Sequence, residues 1–415
     1  MSELQTLKLS EIAHIEMGQS PDSNYVTDNL ALGIPFLQGN AEFGEIHPTP
    51  KYSCSQPQKL CKAHDILISV RAPVGEVNIA DQEYCIGRGL AAIRFHSMPV
   101  KLAAKIIEFT EASLRKVAQG TTFEAISKYD LLNLEIEVHP ENEKSFLNEI
   151  VDSIDTNIRQ TEAIIAKLQQ VKKGLLHDLL TRGIDDSGQL RPPQHLAPEL
   201  YKETSQGHFP IDWEEIPLGQ MAEIVSGVTV GGNGKGSLVS DVPYLRVANV
   251  QDGYLDLSEI KTIKVSQQER DRYLLQYGDV LMNEGGDFDK LGRGTVWENQ
   301  IPICIHQNHV FRVRTDANKL RPFYLAYWSA STFGKRYFIN SSKQTTNLAS
   351  INSKQLHAYP IMVPPEHEQL AIEGRVASIN QKIEIETAKK DKLKKQKSGL
   401  MNDLLTGKVR VTSLL

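Results

Sequence analysis

The sequence contains two related copies of one arrangement, and this duplication limits the folds that the chain can adopt. Residues 171–183 are VKKGLLHDLLTRG and residues 396–407 are QKSGLMNDLLTG, so that GL and DLLT recur at an offset of 225 residues. Further matches precede them in the same order: IPFL at 34–37 with VPYL at 242–245, DIL at 65–67 with DVL at 279–281, and Cys85-Ile86 with Cys304-Ile305. Solenoids need three or more stacked repeats, so two copies indicate a pseudo-twofold chain instead.

Each copy has two parts with different hydrophobic periods. Short apolar segments interrupted by glycine, proline and asparagine predict β-strands and a few helices over residues 1–140 and 210–365. Apolar residues at alternating steps of three and four then predict one long helix in each copy, over 141–184 and 366–411. A polar, proline-containing segment, 185–209, is the predicted linker. The predicted fold class is α+β, with two globular domains separated by two long coiled-coil-like helices.

The apolar positions of each predicted helix form a single stripe. They are Ile154, Ile158, Ile165, Leu168, Leu175 and Leu179 in the first helix, and Ile379, Ile383, Leu393, Leu400 and Leu404 in the second. A lone helix with one apolar stripe is unstable, so we expect the two helices to pair, and antiparallel pairing would place the globular domains at opposite ends. Apolar surface at the repeated helix ends is expected to dock another subunit, through Leu175, Leu176, Leu179, Leu400, Met401 and Leu404.

Composition limits the class of protein. The chain has 415 residues, of which 40% are hydrophobic and 23% charged, as in soluble globular proteins. We expect a cytoplasmic location, because there is no run of about 18 apolar residues and no signal-peptide pattern. A net charge of −5 weakens a nucleic-acid interpretation without excluding it, since DNA binding needs a local basic surface rather than a basic total. Seven lysines between 382 and 397 indicate a solvated face or a contact with DNA phosphates or an acidic partner.

The sequence lacks catalytic and metal-binding motifs. The glycine-rich stretch 231–237 departs from a phosphate-binding loop, because Thr229 stands where that motif needs glycine and Gly236 follows Lys235. Glu259 and Lys261 form an isolated nuclease-like pair without a suitably placed acidic partner. The four cysteines show neither paired metal spacing nor the density of a disulfide scaffold. We therefore expect no catalytic residue, no metal site and no cofactor site in this chain.

Polar loops at matching places in the two copies are the candidate DNA contacts. Arginine can bond guanine in bidentate fashion, and asparagine or glutamine can bond adenine in the same way. The alternative is that these residues only satisfy turns and backbone groups. The candidates are Gln38, Asn40, Arg71, Arg88, Gln119, Thr121, Thr122 and Lys128 in the first copy, and Arg246, Asn249, Asn283, Lys290, Arg293, Gln307, Asn308, Lys343, Gln344, Thr345 and Thr346 in the second.

The layout resembles the specificity subunit of type I restriction–modification systems over essentially the whole chain. The motifs that carry the resemblance are the helix ends GLLHDLLTRG and GLMNDLLTGKVRV, the loops GTTFEAIS and QTTNLASI, the helix starts VHPENEKSFLNEIV and VPPEHEQLAI, and the domain openings LKLSEIAHIEMGQSP and IPLGQMAEIVSG. Both members of each pair occur in the same order.

The resemblance implies a non-catalytic DNA-binding subunit. In that family each globular domain is a target-recognition domain for one half of a bipartite, asymmetric DNA sequence, and the antiparallel helices set the gap. The helices also dock two methyltransferase (modification) subunits, and restriction/translocase subunits complete the assembly. S-adenosylmethionine, ATP and Mg would then belong to the partners. The alternatives are an adaptor that recruits proteins without binding DNA, and a standalone DNA-modifying enzyme, which the missing motifs disfavour.

Overall fold

The structure, a computed structural model, describes residues 4–118, 124–229, 239–286, 291–292, 294–344 and 349–411. The chain divides into two compact units that do not follow chain order. Unit 1 comprises Met1–Ala163 with Glu386–Leu415, and unit 2 comprises Ile164–Ile385. Each unit therefore contains one globular domain together with part of both long helices.

Unit 1 is built from short strands and helices followed by the first part of a long helix. The strands are β1 (Gln5–Lys8), β2 (Ala13–Met17), β3 (Val26–Thr27), β4 (Ile34–Leu37), β5 (Tyr52–Cys54), β6 (Leu60–Cys61), β7 (Ile66–Ser69), β8 (Val77–Ile79), β9 (Tyr84–Ile86), β10 (Leu90–Phe95) and β11 (Glu135–Val138). The helices are α1 (Leu9–Ile12), α2 (Val100–Phe109), α3 (Glu111–Ala118), α4 (Lys128–Leu132) and the long α5 (Glu141–Thr181). The sheets have the orders β2-β10-β7-β8, β3-β5-β4-β9-β6 and β1-β11.

Unit 2 repeats this plan with additional strands. The strands are β12 (Tyr201–Thr204), β13 (Gly207–Pro210), β14 (Glu214–Pro217), β15 (Ala222–Ser226), β16 (Val239–Leu245), β17 (Lys261–Ser266), β18 (Val280–Asn283), β19 (Gly285–Gly286), β20 (Gly294–Val296), β21 (Ile305–His306), β22 (Val310–Thr315), β23 (Lys343–Gln344), β24 (Ala349–Ser350) and β25 (Pro360–Val363). The helices are α6 (Gln267–Tyr273), α7 (Pro322–Ala330), α8 (Thr332–Ser341), α9 (Ser353–His357) and the long α10 (Glu366–Leu405). The sheets have the orders β15-β22-β18-β20, β17-β16-β21, β14-β25, β12-β13 and β19-β24-β23.

The topology confirms the predicted duplication and the α+β class. The order β2-β10-β7-β8 in unit 1 matches β15-β22-β18-β20 in unit 2, and the parallel pair of β4 with β9 matches that of β16 with β21. Each unit also has a buried aspartate that accepts two hydrogen bonds from an arginine on the central strand. These bonds are 2.7 and 2.6 Å from Arg94 to Asp65, and 2.7 and 2.8 Å from Arg314 to Asp279.

The strand register corrects one detail of the repeat. Phe36 pairs with Cys85 in unit 1, whereas the equivalent Tyr244 pairs with Ile305 in unit 2. The sequence match of Cys85 with Cys304 is therefore one residue out of register. The match rests on the identical Cys-Ile dipeptide, whereas strand pairing makes Cys85 equivalent to Ile305. All four cysteines are buried and free, and burial raises the pKa of Cys61, Cys85 and Cys304 to about 12, as expected for inert thiols.

Each long helix begins directly after a proline and ends shortly before a glycine. Pro140 and Pro365 directly precede them, and Gly183 and Gly407, with φ of 65° and 67°, follow them. Inside unit 1 the helices run antiparallel, since Asp155 of α5 pairs with Lys397 of α10 at 2.5 Å and Glu162 pairs with Lys394 at 2.7 Å. The predicted pairing of the helices is thus present in this unit.

Two buried glutamates fix the starts of the long helices to the segments that follow the opposite helix. Glu143 in the first turn of α5 accepts a 2.6 Å hydrogen bond from Arg410, three residues after Gly407. Glu368 in the first turn of α10 accepts bonds from Arg191, at 2.5 Å, and from the Trp213 indole, at 3.0 Å. The Pro-x-x-Glu sequence at both helix starts therefore supplies the acceptor of a buried ion pair.

The apolar ends of the long helices pack in or against the cores of the units, which corrects the predicted docking role for part of the set. Leu179 belongs to the core of unit 2, with Leu175 and Leu176 packed against it. In unit 1 the core includes Met401 and Leu404, with Leu400 packed against it. Leu179, Met401 and Leu404 are buried in the chain's own units, so their predicted docking role is corrected. Leu175, Leu176 and Leu400 are half-buried, and their docking role stays a prediction.

The predicted linker is partly structured. It contains β12 and most of β13, which form an antiparallel hairpin, and Phe209 is fully buried beside Trp213 in the core of unit 2. Across the described ranges, no helix has the length and apolar character needed to cross a membrane. Those same ranges contain no cluster of three or more histidine, cysteine, aspartate or glutamate side chains able to hold a metal ion.

Candidate nucleic-acid interface

Backbone hydrogen bonds join four distant segments of unit 1 into one polar surface, the unit 1 edge, formed by residues 37–40, 69–71, 87–89 and 125–128. Gly87 donates to the Leu37 carbonyl at 2.8 Å, and Val70 donates to the Gly89 carbonyl at 2.9 Å. Ile126 in turn donates to Val70 at 2.9 Å. The backbone is so close here that a Cβ at position 89 would lie 2.9 Å from the Gln38 carbonyl oxygen, which explains the glycine.

The unit 1 edge carries most of the predicted contact residues of the first copy. Gln38, Arg71, Arg88 and Lys128 are all exposed, and three of them are cationic. Asn40 is half-buried and donates a 2.8 Å hydrogen bond to Glu76. The structure therefore brings together segments that are as much as 90 residues apart in sequence.

An equivalent surface in unit 2, the unit 2 edge, is formed by residues 245–246, 283–286, 306–309 and 349–351. Gln307 donates to the Leu245 carbonyl at 2.9 Å, Glu284 donates to His309 at 3.0 Å, and Ile351 donates to Glu284 at 2.8 Å. These bonds correspond one for one to those of unit 1, with Glu284 in the place of Val70. Strand β23 lies next to this surface through its pairing with β24.

The side chains of the unit 2 edge differ from those of the unit 1 edge. Gln307 and Asn308 are half-buried. Arg246 is held by Glu259, donating to its carbonyl at 3.2 Å and lying 3.4 Å from its carboxylate. His306 is fully buried and bonded to the Val310 carbonyl at 2.7 Å, and burial lowers its pKa to about 4. His306 therefore stays neutral at physiological pH and offers no charge to a phosphate.

Two predicted contact residues have structural roles instead. Asn249 is 3% exposed, accepts from the Arg246 amide at 2.9 Å and donates to the Asp256 carbonyl at 2.8 Å. Asn283 is 1% exposed and donates to the Val250 carbonyl at 3.0 Å. Their amides close loops inside the unit, so the prediction of base contact is corrected for both; the turn-forming alternative describes them.

Some predicted contact residues fall wholly or partly outside the described part of the chain. Seven of them lie outside the described residues: Gln119, Thr121, Thr122, Lys290, Arg293, Thr345 and Thr346. For Lys343 and Gln344 the structure describes the backbone, which forms β23, but not the side chains.

Sequence reasoning missed one charged group of the unit 2 edge. The Glu284 carboxylate lies there, 2.6 Å from the Nδ1 atom of His309. Its counterpart Val70 is apolar, so no repeated polar pattern marked the position; only the strand register shows that the two residues are equivalent.

Comparison with known proteins places the chain in a family. The profile described as "Type I restriction modification DNA specificity domain" matches residues 1–171 and 210–395. The putative type I restriction enzyme MjaX specificity subunit of Methanocaldococcus jannaschii is 38% identical over 169 residues, which are 40% of this chain and 40% of that relative. The chain thus spans less than half the length of this relative. The MjaVIII specificity subunit of the same organism is 25% identical over 311 residues, 74% of this chain and 70% of that one.

Solved structures agree at the level of the fold. The type I restriction–modification S subunit from M. genitalium has a TM-score of 0.55 at 15% identity, and the match covers 97% of this chain and 96% of that one. A structure concerned with assembly of the type I R-M system has a TM-score of 0.57 at 17% identity, covering 96% and 97%. Since the family profile spans both copies of the repeat, each with its own β-domain and long helix, the chain belongs to the type I restriction–modification specificity subunits.

Proposed function

We propose that this chain is the DNA-binding subunit of a type I restriction–modification complex, and that the unit 1 edge and the unit 2 edge each contact one half of a bipartite, asymmetric target. The observation that carries the proposal is one backbone arrangement, built twice with the same hydrogen bonds and with different side chains. A shared frame with different contacts suits two half-sites of different sequence.

The chemistry of each edge indicates the kind of base that it favours. Arg71 and Arg88 on the unit 1 edge have the bidentate geometry that suits guanine O6 and N7. Gln307 and Asn308 on the unit 2 edge can pair with the N6 and N7 atoms of adenine. Lys128 supplies a phosphate contact, which fixes position without carrying sequence information.

The long helices are proposed to set the gap between the half-sites. A 41-residue helix such as α5 is about 60 Å long, and half-sites one DNA turn apart have centres about 34 Å apart. A rod of that length is sufficient for the spacing.

The helices are also proposed to dock two methyltransferase subunits, with restriction/translocase subunits joining for cleavage. Three of the six residues first assigned to docking are buried and three are half-buried, so we place the contact mainly on the exposed helix faces, for example at Ile164 and Val171, which are 43% and 49% exposed and seven residues apart. Catalysis, with S-adenosylmethionine, ATP and Mg, would belong to those partners, and this chain supplies recognition alone.

Single substitutions on the two edges test the proposal. In the assembled complex, Arg88→Ala should weaken discrimination within one half-site and Asn308→Ala within the other, each by about 1–3 kcal/mol. The Arg270→Ala variant is a matched control, because Arg270 lies on α6 and pairs with the neighbouring Asp271. If both edge variants lose affinity equally on specific and random duplexes, they act through phosphates, and two-site recognition by the edges is refuted.

A further inference from the structure

Glu284 occupies the centre of the unit 2 edge and is held there by its backbone. Its amide donates to His309 at 3.0 Å and its carbonyl accepts from Ile351 at 2.8 Å, so two neighbouring segments fix its position. The side chain is partly exposed, at 31%, and its Oε2 atom lies 2.6 Å from Nδ1 of His309. With Nδ1 donating, one carboxylate oxygen is oriented; in the described part of the chain, Oε1 has no hydrogen-bond partner.

A carboxylate on a DNA-binding surface can form favourable contacts with few groups of the DNA. When ionised it only accepts hydrogen bonds, and DNA phosphates repel it. Of the four bases, guanine presents only the acceptors O6 and N7 in the major groove, and thymine presents the acceptor O4. Adenine presents its N6 donor beside the N7 acceptor. Cytosine alone presents an N4 amine donor without an acceptor of its own. A fixed carboxylate therefore favours cytosine.

The corresponding position in unit 1 supports a role in specificity rather than in folding. Val70 makes the same two backbone hydrogen bonds as Glu284, to Gly89 and from Ile126, with an apolar side chain. The frame therefore does not require a carboxylate at this point. Glycine at position 89 likewise stands where unit 2 has His309, so neither member of the Glu284–His309 pair is needed for the shared architecture.

We propose that Glu284 is a specificity-determining residue, whose carboxylate accepts a hydrogen bond from the N4 amine of a cytosine in the half-site bound by unit 2. His309 is a positioning residue that holds Oε2 and leaves Oε1 directed to the base. This inference rests on the proposed function and adds one base of the target to it.

The test compares wild type with Glu284→Gln in the complex assembled with its methyltransferase subunits. Competition binding would use duplexes that carry each base in turn at every position of the target. Wild type should prefer cytosine at one position of one half-site on the order of tenfold, or 1.4 kcal/mol. Glu284→Gln should lose that preference and keep all others. Glu298→Gln, which removes an exposed charge elsewhere in unit 2, should change nothing.

A second variant tests the pair. His309→Ala should weaken discrimination at the same position, and in the double variant the losses should not add, because both substitutions disturb one contact. Additive losses at different positions would overturn the positioning role.

Three results separate the ways in which these ideas can fail. If Glu284→Gln binds every duplex more tightly by the same factor, Glu284 only repels phosphates and the inference is overturned. Unchanged preferences at every position also overturn it, while two-site recognition stands. Failure of the wild-type complex to prefer any split sequence refutes the proposed function itself.

Discussion

Replacing Glu368 with glutamine should destabilise unit 2 far more than the same replacement of an exposed glutamate in the same helix turn. Glu368 is 1% exposed; its Oε1 accepts from Ile184 N at 2.6 Å and Arg191 Nη1 at 2.5 Å, and its Oε2 accepts from Trp213 Nε1 at 3.0 Å and Arg191 Nη2 at 3.1 Å. A glutamine amide has one acceptor and one donor end. Whichever way it is turned, two donors then face an NH2 group.

The magnitude follows from those four bonds. Each buried donor left without an acceptor costs about 1–3 kcal/mol, which gives about 2–6 kcal/mol for two. Breaking a buried ion pair by removing one partner costs about 3–5 kcal/mol, and the Arg191 side chain is only 11% exposed. We therefore expect a loss of about 3–5 kcal/mol in the free energy of unfolding. For a unit of this size that corresponds to a fall in Tm of about 6–20 °C.

Tryptophan fluorescence makes the measurement specific to unit 2, because all three tryptophans of the chain, Trp213, Trp297 and Trp328, lie in it. Thermal and denaturant unfolding of wild type, Glu368→Gln and Glu366→Gln would be compared. Glu366 is exposed in the same helix turn, so its substitution should cost about 0.5 kcal/mol or less. Equal effects of the two substitutions, or a change in Tm below about 2 °C for Glu368→Gln, would refute the role assigned to the buried carboxylate.

Three other predictions concern the remaining elements. Burial opposes ionisation of Glu143, but hydrogen bonds from Arg410 and His139 outweigh it and hold the pKa of this carboxyl below the ordinary 4.5. Wild type should therefore be more stable than Glu143→Gln at neutral pH, and the difference should disappear as the pH falls through the folded-state pKa. Unfolding followed by circular dichroism would measure this difference in stability. Asn249→Ala should lower unit 2 stability by about 1–3 kcal/mol in tryptophan-fluorescence unfolding, leaving base preferences unchanged, since its amide closes a loop. Inserting one heptad into both α5 and α10 should lengthen the gap in the mapped DNA target without altering either half-site; altered half-site bases would show that the helices contribute to sequence recognition.

The sequence predicted the features that depend on local patterns. Two heptad-like stripes, each after a proline and before a glycine, predicted the long helices, and observed α5 at Glu141–Thr181 ends within three residues of the predicted 184. Order-preserving matches such as the two aspartates at 65 and 279 predicted the duplication, and both aspartates prove to hold an arginine on the central strand.

Contacts between distant segments could not be predicted from the local sequence patterns. Arg191 lies in the predicted polar linker and Arg410 at the end of the second predicted helix, and no periodicity connects them with Glu368 or Glu143. The leucines at the helix ends have the same local pattern whether they cover their own domain or a partner. Asn249 and Asn283 show the same limit, because an amide that closes a loop and an amide that contacts a base are identical in sequence.

The most direct test of two-site DNA recognition is a genome-wide map of methylated sites in cells that co-express this chain with its methyltransferase subunit. We expect one split motif with a fixed gap, present with the chain and lost when the chain is deleted. An unchanged methylome in cells where the complex is shown to assemble would contradict it and favour an adaptor that recruits proteins without recognising DNA.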